Sequence, residues 1–212
     1  QTGIWIIPGS ILFIAGLNIV LAIGFTVWWS GERIRKDQRN GVLEVLLTTT
    51  MSHRKIVSAK MMAGLAISAP LMIAAGLLIL VGITQFEFFM SMFDNKRKFN
   101  NLSTQLVHGL GVWGWCLGLW FFSASIGCYT AVRTANPRTS FVLAATILCT
   151  LVAVPAVVGN LLPEHWLLPE LVRFIAPGVI HSSGFHHLLI ATVLAVLMGS
   201  LLTTKTVRHL RR

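Results

Sequence analysis

Long apolar runs constrain this chain more than any other feature of its sequence. Five stretches are apolar over about 20 residues or more, and they cover residues 3–29, 61–84, 106–130, 141–162 and 185–204. A helix of about 20 residues crosses the hydrocarbon core of a bilayer, which is about 30 Å thick. The runs are continuous and do not alternate with a period of two, which favours helices over strands. The sequence therefore predicts an all-α membrane protein, a helical bundle of five spans.

The composition supports the same class. Hydrophobic residues make up 55% of the 212 residues and charged residues 11%, while the mean hydropathy is +0.75 and the formal net charge is +10. A soluble domain of this length does not normally combine these values. The three cysteines all fall within predicted spans and lack the spacing of a metal or redox site, so we interpret them as packing residues and predict no metal site.

Lys and Arg residues are distributed unevenly between the predicted spans, and this predicts the orientation. Thirteen lie on one side: seven in residues 30–60, two in residues 131–140, and four in the C-terminal tail. The other side has four, namely Lys96, Arg97, Lys98 and Arg173. Because positive residues resist translocation, the side with thirteen is predicted to be cytoplasmic. We expect a multi-pass protein of the cell (cytoplasmic or inner) membrane, with the N-terminal end of this sequence outside and the C-terminus in the cytoplasm.

This topology explains the basic charge, so nucleic acid is not an expected partner. The charged segments lack the aromatic residues on which bases stack. Membrane lipid is an expected partner, and the three cations at positions 96–98 are candidates for contact with lipid headgroups.

The segment "ERIRKDQRNGVLEVLLTTTMSHRKIVSAK", residues 32–60, is an island of charge in this apolar chain. Residues 32–40 are charged on nearly every side and are predicted to extend the first helix into the cytoplasm. Gly41 then permits a sharp turn. A short amphipathic helix follows, with Val42, Leu43, Leu46 and Leu47 on an apolar face and Glu44 opposite. The threonines at positions 48–50 are predicted to end it, and Ser52 to cap the helix of the second span.

Two interpretations of this short helix follow from the residues alone. It rests in the lipid headgroups as an interfacial helix, or it is the docking element for a cytoplasmic partner. The physical pattern does not separate them.

The same segment resembles the signature that follows the second transmembrane helix in permeases of ABC-2 type transporters, E-R-x-x-G-T-L-E-x-L-L-x-T-P-x-S-R-x-E-I-x-x-G-K. The matching positions are Gly41, Leu43, Glu44, Leu46, Leu47, Thr49, Ser52, Arg54, Ile56 and Lys60, with Glu32 and Arg33 as a counterpart of the leading E-R. The chain departs from the pattern by extra residues before Gly41 and by Val42, Thr50 and Ala59 where the family has Thr, Pro and Gly.

The resemblance implies a six-helix permease of which this sequence lacks the first helix. It also implies that residues 30–60 contain the coupling helix, which sits in a groove of a separate ATPase subunit and transmits the closure of that subunit to the membrane helices. By this resemblance Leu43, Glu44 and Leu47 contact the ATPase. The wider set of coupling residues is Glu32, Arg33, Arg39, Gly41, Leu46 and Thr49, and Arg35 and Lys36 are weaker candidates, since a solvated basic flank explains the cations equally well.

The chain has no nucleotide-binding motif of the form G-x-x-x-x-G-K-[ST]. ATP and Mg are therefore expected on the partner ATPase subunit, with no cofactor in this chain and no enzymatic activity of its own. The resemblance further implies a second permease subunit, identical or paralogous, so that two copies enclose the translocation path. The expected function is the membrane-spanning subunit of an ATP-driven exporter.

Residues 163–184, "PEHWLLPELVRFIAPGVIHSSG", are too irregular for a span and too apolar for a free loop. They resemble the re-entrant outer segment that such permeases place before their last helix, and a surface connector is the alternative. Four histidines near this segment, His165, His181, His186 and His187, allow a different hypothesis, a membrane-embedded enzyme with an outer site. A non-transporting scaffold is the third alternative.

Three polar or small residues inside the spans are candidates for the pathway or for helix packing. Asn18 is the most central strongly polar residue, and an interhelical hydrogen bond is its expected role. Gly114 and Gly118 form a small-residue strip, as do Ala191, Ala195 and Gly199, which permits close approach of helices.

Overall fold

The computed structural model describes residues 6–49, 51–93, 102–134, 136–161 and 185–210. These residues form six helices and, within those ranges, no strand, which confirms the all-helical prediction. The helices are α1 (Ile6–Arg39), α2 (Val42–Thr48), α3 (His53–Phe93), α4 (Leu102–Arg133), α5 (Pro137–Leu161) and α6 (Phe185–Leu210).

Within the described part of the chain, three helical segments are long and apolar enough to cross a membrane, and they are Ser10–Arg39, His53–Gln85 and Gly109–Arg133. The chain is therefore a multi-pass membrane protein. The fourth and fifth predicted spans coincide in sequence with α5 and α6. The count of five spans stays a prediction, and the predicted re-entrant segment at residues 163–184 lies outside the described residues.

Helix α4 is the centre of the bundle. Its most apolar window is 72% buried inside the protein, against 22% for the window in α1 and 33% for that in α3. Helices α1, α3, α5 and α6 all pack on α4. Lipid is as apolar as a leucine side chain, so helices in a membrane associate through close packing and hydrogen bonds. The buried part of α4 is accordingly rich in Ser, Ala, Gly and Cys.

Helices α1 and α3 run antiparallel along most of their length. Their contacts pair Lys60 with Asp37, Ser68 with Thr26, and Gly82 with Leu12, so positions rise on α3 as they fall on α1. The connection between them contains only α2 and two short turns. This arrangement places α2 at one end of the bundle, between the end of α1 and the start of α3.

Among the side chains that the structure describes, the core consists of three packed clusters on α4. One lies near the α2 end and includes Val57, Ala124 and Cys128, and a second surrounds Met72 and Cys116. The third brings Val27 and Ile126 together with α5. Cys116 and Cys128 are thus buried packing residues as predicted, whereas Cys149 is exposed, so the packing prediction is wrong for it.

Described residues flank the short connection between α4 and α5, and Ala135 within it lies outside the described residues. Helix α4 ends at Arg133, and α5 begins with Pro137, a residue whose fixed φ suits the first helical position. The Asn136 side-chain oxygen accepts a hydrogen bond from the Arg138 N–H at 3.0 Å, and the Asn136 carbonyl accepts one from the Ser140 N–H. Asn136 therefore caps the start of α5.

Candidate functional site

The candidate site is the end of the bundle formed by the last turns of α1, by α2 and by the start of α3. The turn between α1 and α2 depends on Gly41, whose φ of 69° and ψ of −1° lie in the left-handed region. Its N–H donates to the Gln38 carbonyl at 3.3 Å, and the Asn40 N–H donates to the Lys36 carbonyl at 3.0 Å. Residues with a Cβ adopt this conformation at a cost, which is why glycine occurs at helix ends. The predicted turn is confirmed.

Helix α2 spans Val42–Thr48, and the threonines end it as predicted. The Thr48 hydroxyl donates to the Val45 carbonyl at 2.8 Å, and the Thr49 hydroxyl donates to the Leu46 carbonyl at 2.6 Å. Thr49 itself is in an extended conformation with ψ of 164°. Side chains that satisfy the last carbonyls compete with a further helical turn, so the helix stops here. Thr50 lies outside the described residues.

The apolar side chains of α2 divide differently from the predicted face. Leu43 is 5% exposed, and Leu46 and Leu47 are half-buried. Val42 and Val45 are 43% and 65% exposed, and Glu44 is also exposed. Val42 is therefore not on the packed side, which corrects the predicted grouping. Leu43 packs inside its own chain, so the surface open to a partner consists of Val42, Glu44 and Val45, with Leu47 at its edge.

An ion pair joins the two helices that flank α2. The Lys60 ammonium on α3 contacts the Asp37 carboxylate on α1, and both side chains are largely buried. Lys60 was one of the residues that matched the permease signature, whereas Asp37 was not singled out. Nothing in the linear sequence pairs positions 23 residues apart, because the contact depends on the turn at Gly41 and the antiparallel packing.

The cations at the end of α1 have three different environments. Arg35 is buried, and its Nε and Nη2 atoms each lie 3.2 Å from Glu32 Oε2 one turn earlier. It is therefore not available to a partner, which corrects its place among the candidate contacts. Arg33 lies over the Trp29 ring at 5.3 Å from the ring centre, and Lys36 and Arg39 are exposed. A surface cavity of about 340 Å³ is lined by Trp29, Glu32, Arg33 and Lys36.

Further along the helices from this end, a buried polar cluster connects α1, α3 and α4. Thr26 and Ser68 are fully buried, and their hydroxyl oxygens are 2.5 Å apart. The Trp120 indole N–H lies 2.8 Å from both oxygens and donates to them. Hydroxyl groups at this depth hydrogen-bond across helices because lipid offers no partner. Sequence reasoning missed this cluster, and its only signal was a hydroxyl residue within each of two apolar runs.

Glycines bring the same three helices into close contact. A Cβ on Gly64 would overlap the Ser30 hydroxyl oxygen, so Ser30 on α1 occupies the space that Gly64 on α3 leaves open. A Cβ on Gly127 of α4 would lie 2.6 Å from the Val27 carbonyl oxygen of α1. Neither position tolerates a side chain without movement of its neighbours. These contacts make α1, α3 and α4 one packed unit that carries α2 at its end.

Asn18, Gly114 and Gly118, the three candidates inside the predicted spans, contact backbone or side-chain atoms of the helices. The Asn18 side-chain amide donates to the Ile14 carbonyl at 3.0 Å, which is a bond within α1 and not between helices. Gly118 lies against α6, where an added Cβ would be 3.2 Å from the Thr192 carbonyl oxygen, and Gly114 faces the same residue at 4.0 Å. Both glycines therefore lie in the contact between α4 and α6. A role of Asn18 in a pathway stays a prediction.

The histidines of the alternative hypothesis do not form a described site. His165 and His181 lie outside the described residues, as do Lys96, Arg97 and Lys98. His186 and His187 lie in the first turn of α6, where only the backbone is described. Among the side chains that the structure does describe, no group of three or more His, Cys, Asp or Glu residues is arranged to hold a metal ion.

Comparison of the chain with protein-family models, with curated proteins and with solved structures finds no match.

Proposed function

We propose that this chain is the membrane-spanning subunit of an ATP-driven exporter of the ABC-2 type. In this proposal α2 is the coupling helix, the end of the bundle that carries it faces the cytoplasm, and a separate ATPase subunit binds there with its ATP and Mg. A second permease subunit, identical or paralogous, completes the translocation path. The basis is the resemblance of residues 32–60 to the permease signature, together with the geometry of that segment.

The observation that carries the proposal is that α2 is both exposed and firmly attached. A coupling element needs a free surface for its partner and a rigid connection to the helices that it moves. Val42, Glu44 and Val45 supply the free surface. The attachment consists of the buried Leu43, the Gly41 turn and the ion pair between Asp37 and Lys60.

The long helices on either side of α2 offer a route for the movement. Helix α1 has 34 residues and α3 has 41 residues, so they extend about 50 Å and 60 Å at a rise of about 1.5 Å per residue. Both continue from the turns beside α2 into the apolar part of the bundle without interruption. Displacement of α2 would therefore move α1 and α3 together, and the contacts at Gly127 and Trp120 would pass that displacement to α4.

The test is ATP hydrolysis by the purified complex in lipid nanodiscs, with subunit retention measured in the same samples. Val45→Arg and Glu44→Arg each place an arginine on the exposed side of α2. Thr139→Arg is the matched control, because Thr139 is exposed in the first turn of a different helix, α5. We expect both α2 variants to release the ATPase subunit or to lower its turnover about tenfold, since a charge desolvated in an interface without a partner costs more than 1 kcal/mol. The control variant should resemble the native complex.

The opposite result separates the coupling role from the alternatives. If an ATPase co-purifies and neither α2 variant changes its retention or turnover, α2 is not the coupling element and the interfacial-helix interpretation stands. If no ATPase co-purifies with native protein under conditions that preserve membrane complexes, the exporter proposal fails. Each α2 substitution is on an exposed side chain, so the membrane bundle should stay folded, and the amount of folded protein serves as the internal reference.

A further inference from the structure

A groove between α3 and α6 has the chemistry of a lipid site. Its volume is about 410 Å³, and its lining includes Arg54, Lys55, Met61 and Met62 of α3 and Thr203 of α6, with Phe121 of α4 as its floor. Both α3 and α6 pack on α4, but they make little contact with each other, and the groove occupies the space between them. Its volume lies within the range of roughly 300–1,000 Å³ that is typical of small-molecule sites.

The lining changes from cationic to apolar along the axis of α3. Arg54 and Lys55 are at the start of the helix, and Met62 lies about 12 Å further along it at a rise of about 1.5 Å per residue. Met61 is buried and Met62 is 60% exposed, so the apolar end of the groove opens to the outside of the bundle. A membrane phospholipid has the same order of groups, with an anionic phosphate followed by acyl chains.

Among the residues that the structure describes, no carboxylate lines the cationic end of the groove. The ion pairs among the described residues are Arg35 with Glu32 and Lys60 with Asp37, and neither Arg54 nor Lys55 takes part in them. Both side chains are exposed. Two adjacent cations without a counter-ion at the rim of a groove favour a ligand that carries negative charge.

The walls of the groove show where an anion would bind. The Thr203 hydroxyl donates to the Gly199 carbonyl at 2.8 Å and contacts the Met61 sulfur at 3.3 Å. Its hydrogen is thus directed within the protein. The other lining hydroxyls, those of Ser58, Ser200 and Thr204, likewise donate to backbone carbonyls of their own helices. The donors for an anionic group are therefore the Arg54 guanidinium and the Lys55 ammonium, which places the phosphate at the start of α3.

We propose that this groove binds an anionic glycerophospholipid, with the phosphate held by Arg54 and Lys55 and an acyl chain against Met61, Met62 and Phe121. The shape and polarity of the groove favour a lipid over a free anion, because a phosphate ion would leave the thioether and aromatic walls without a partner. The site is distinct from the exposed surface of α2. The inference does not depend on an ATPase partner and holds for either orientation in the membrane.

The test compares binding of phosphatidylglycerol and phosphatidylcholine with identical acyl chains to the full-length protein, together with any subunits that co-purify. Apparent dissociation constants are measured in mild detergent by native mass spectrometry. We expect native protein to prefer phosphatidylglycerol about tenfold or more, and Arg54→Gln with Lys55→Gln to abolish that preference. Arg138→Gln with Arg208→Gln is the control, because it removes the same charge from two exposed positions that do not line the groove.

A second pair of variants tests the apolar end. Met62→Gln should weaken binding of phosphatidylglycerol about threefold through lost apolar burial. Val142→Gln, at a similarly exposed apolar position on α5, should not change it. Inorganic phosphate is the third probe, and we expect it to compete only weakly.

Three results would overturn the proposal. The first is that the lipid preference persists in the Arg54 and Lys55 double variant. The second is that the control double variant loses the preference equally. The third is that inorganic phosphate competes as well as the lipid does, in both native protein and the Met62 variant. The last outcome would make the groove an anion site without lipid. Because the substituted side chains are exposed, thermal melting of each variant should match native protein, and ATPase retention reports separately on the proposed coupling role.

Discussion

Asp37 on α1 forms an ion pair with Lys60 on α3, and this contact closes the connection that contains α2. The two residues are separated in sequence by the whole of α2 and its turns. Their side chains are 16% and 24% exposed, so solvent screens the pair less than it screens a surface ion pair. The ion pair therefore joins the end of α1 to the start of α3, on either side of α2.

Neutralising either member of this pair should destabilise the protein. We expect Asp37→Asn and Lys60→Gln each to lower the free energy of unfolding, with a coupling energy of about 1 kcal/mol in the double-mutant cycle. The measurement is unfolding of the purified protein in mixed detergent micelles. Arg39→Gln, at an exposed cation on the same end of α1, is the control and should have little effect. Additive losses in the double variant would show that the two charges do not interact.

Substitution of Gly41 should lower the stability of the protein because of the backbone conformation at this position and not because of a steric clash. An added Cβ would meet no atom within 4 Å, so Gly41→Ala tests the cost of a φ of 69° without a steric clash. We expect a loss of about 1 kcal/mol for Ala and a smaller loss for Asn, which tolerates this region better. Gly16→Ala is the matched control, because Gly16 lies inside α1 with equally open surroundings and should be neutral or slightly stabilising.

If Gly41→Ala and Gly16→Ala have the same effect on thermal stability, the turn is not held in the left-handed conformation.

Gly127 should be sensitive for the opposite reason, since its surroundings are crowded. Its Cβ would lie 2.6 Å from a backbone oxygen of Val27, which cannot rotate away. We expect Gly127→Ala to destabilise the contact between α1 and α4 by about 1–3 kcal/mol. Gly82→Ala is the comparison, because its Cβ would lie 2.8 Å from the Leu12 methyl group, a flexible side-chain end that can move. Equal losses at both positions, measured by the same unfolding method, would contradict the packing described for Gly127.

The cluster of Thr26, Ser68 and Trp120 should show strong non-additivity. The indole N–H of Trp120 has two acceptors, so Thr26→Val leaves Ser68 to accept and Ser68→Ala leaves Thr26. We expect each single change to cost about 0.5 kcal/mol and the double change to cost about 1 kcal/mol more than their sum, because only then is a buried donor left unpaired. Trp120→Phe in the background of the double variant should recover part of the loss. A strictly additive double variant would argue against shared acceptance.

The prediction of helices was accurate where it depended on long apolar runs, and less accurate where it depended on which side of a helix is packed. The runs at 61–84 and 106–130 lie inside α3 and α4, and the turn occurs at Gly41, as predicted. The grouping of Val42 with Leu43 was wrong, because a helix of two turns presents several possible apolar faces and only its neighbours select one. Arg35 was placed among surface cations for a similar reason, since its burial depends on the helices packed around α1.

Sequence by itself determined that this is a helical membrane protein with a charged, interrupted segment between its first two long helices. The physical reason is local: hydrocarbon requires backbone hydrogen bonds to be satisfied within each helix, and Gly and Thr stop helices by their own backbone preferences. Only the tertiary structure decided that α4 is central, that Asp37 meets Lys60, and that Thr26, Ser68 and Trp120 share hydrogen bonds. Those contacts join residues far apart in the chain, and in an apolar medium they depend on how closely the small residues let the helices approach.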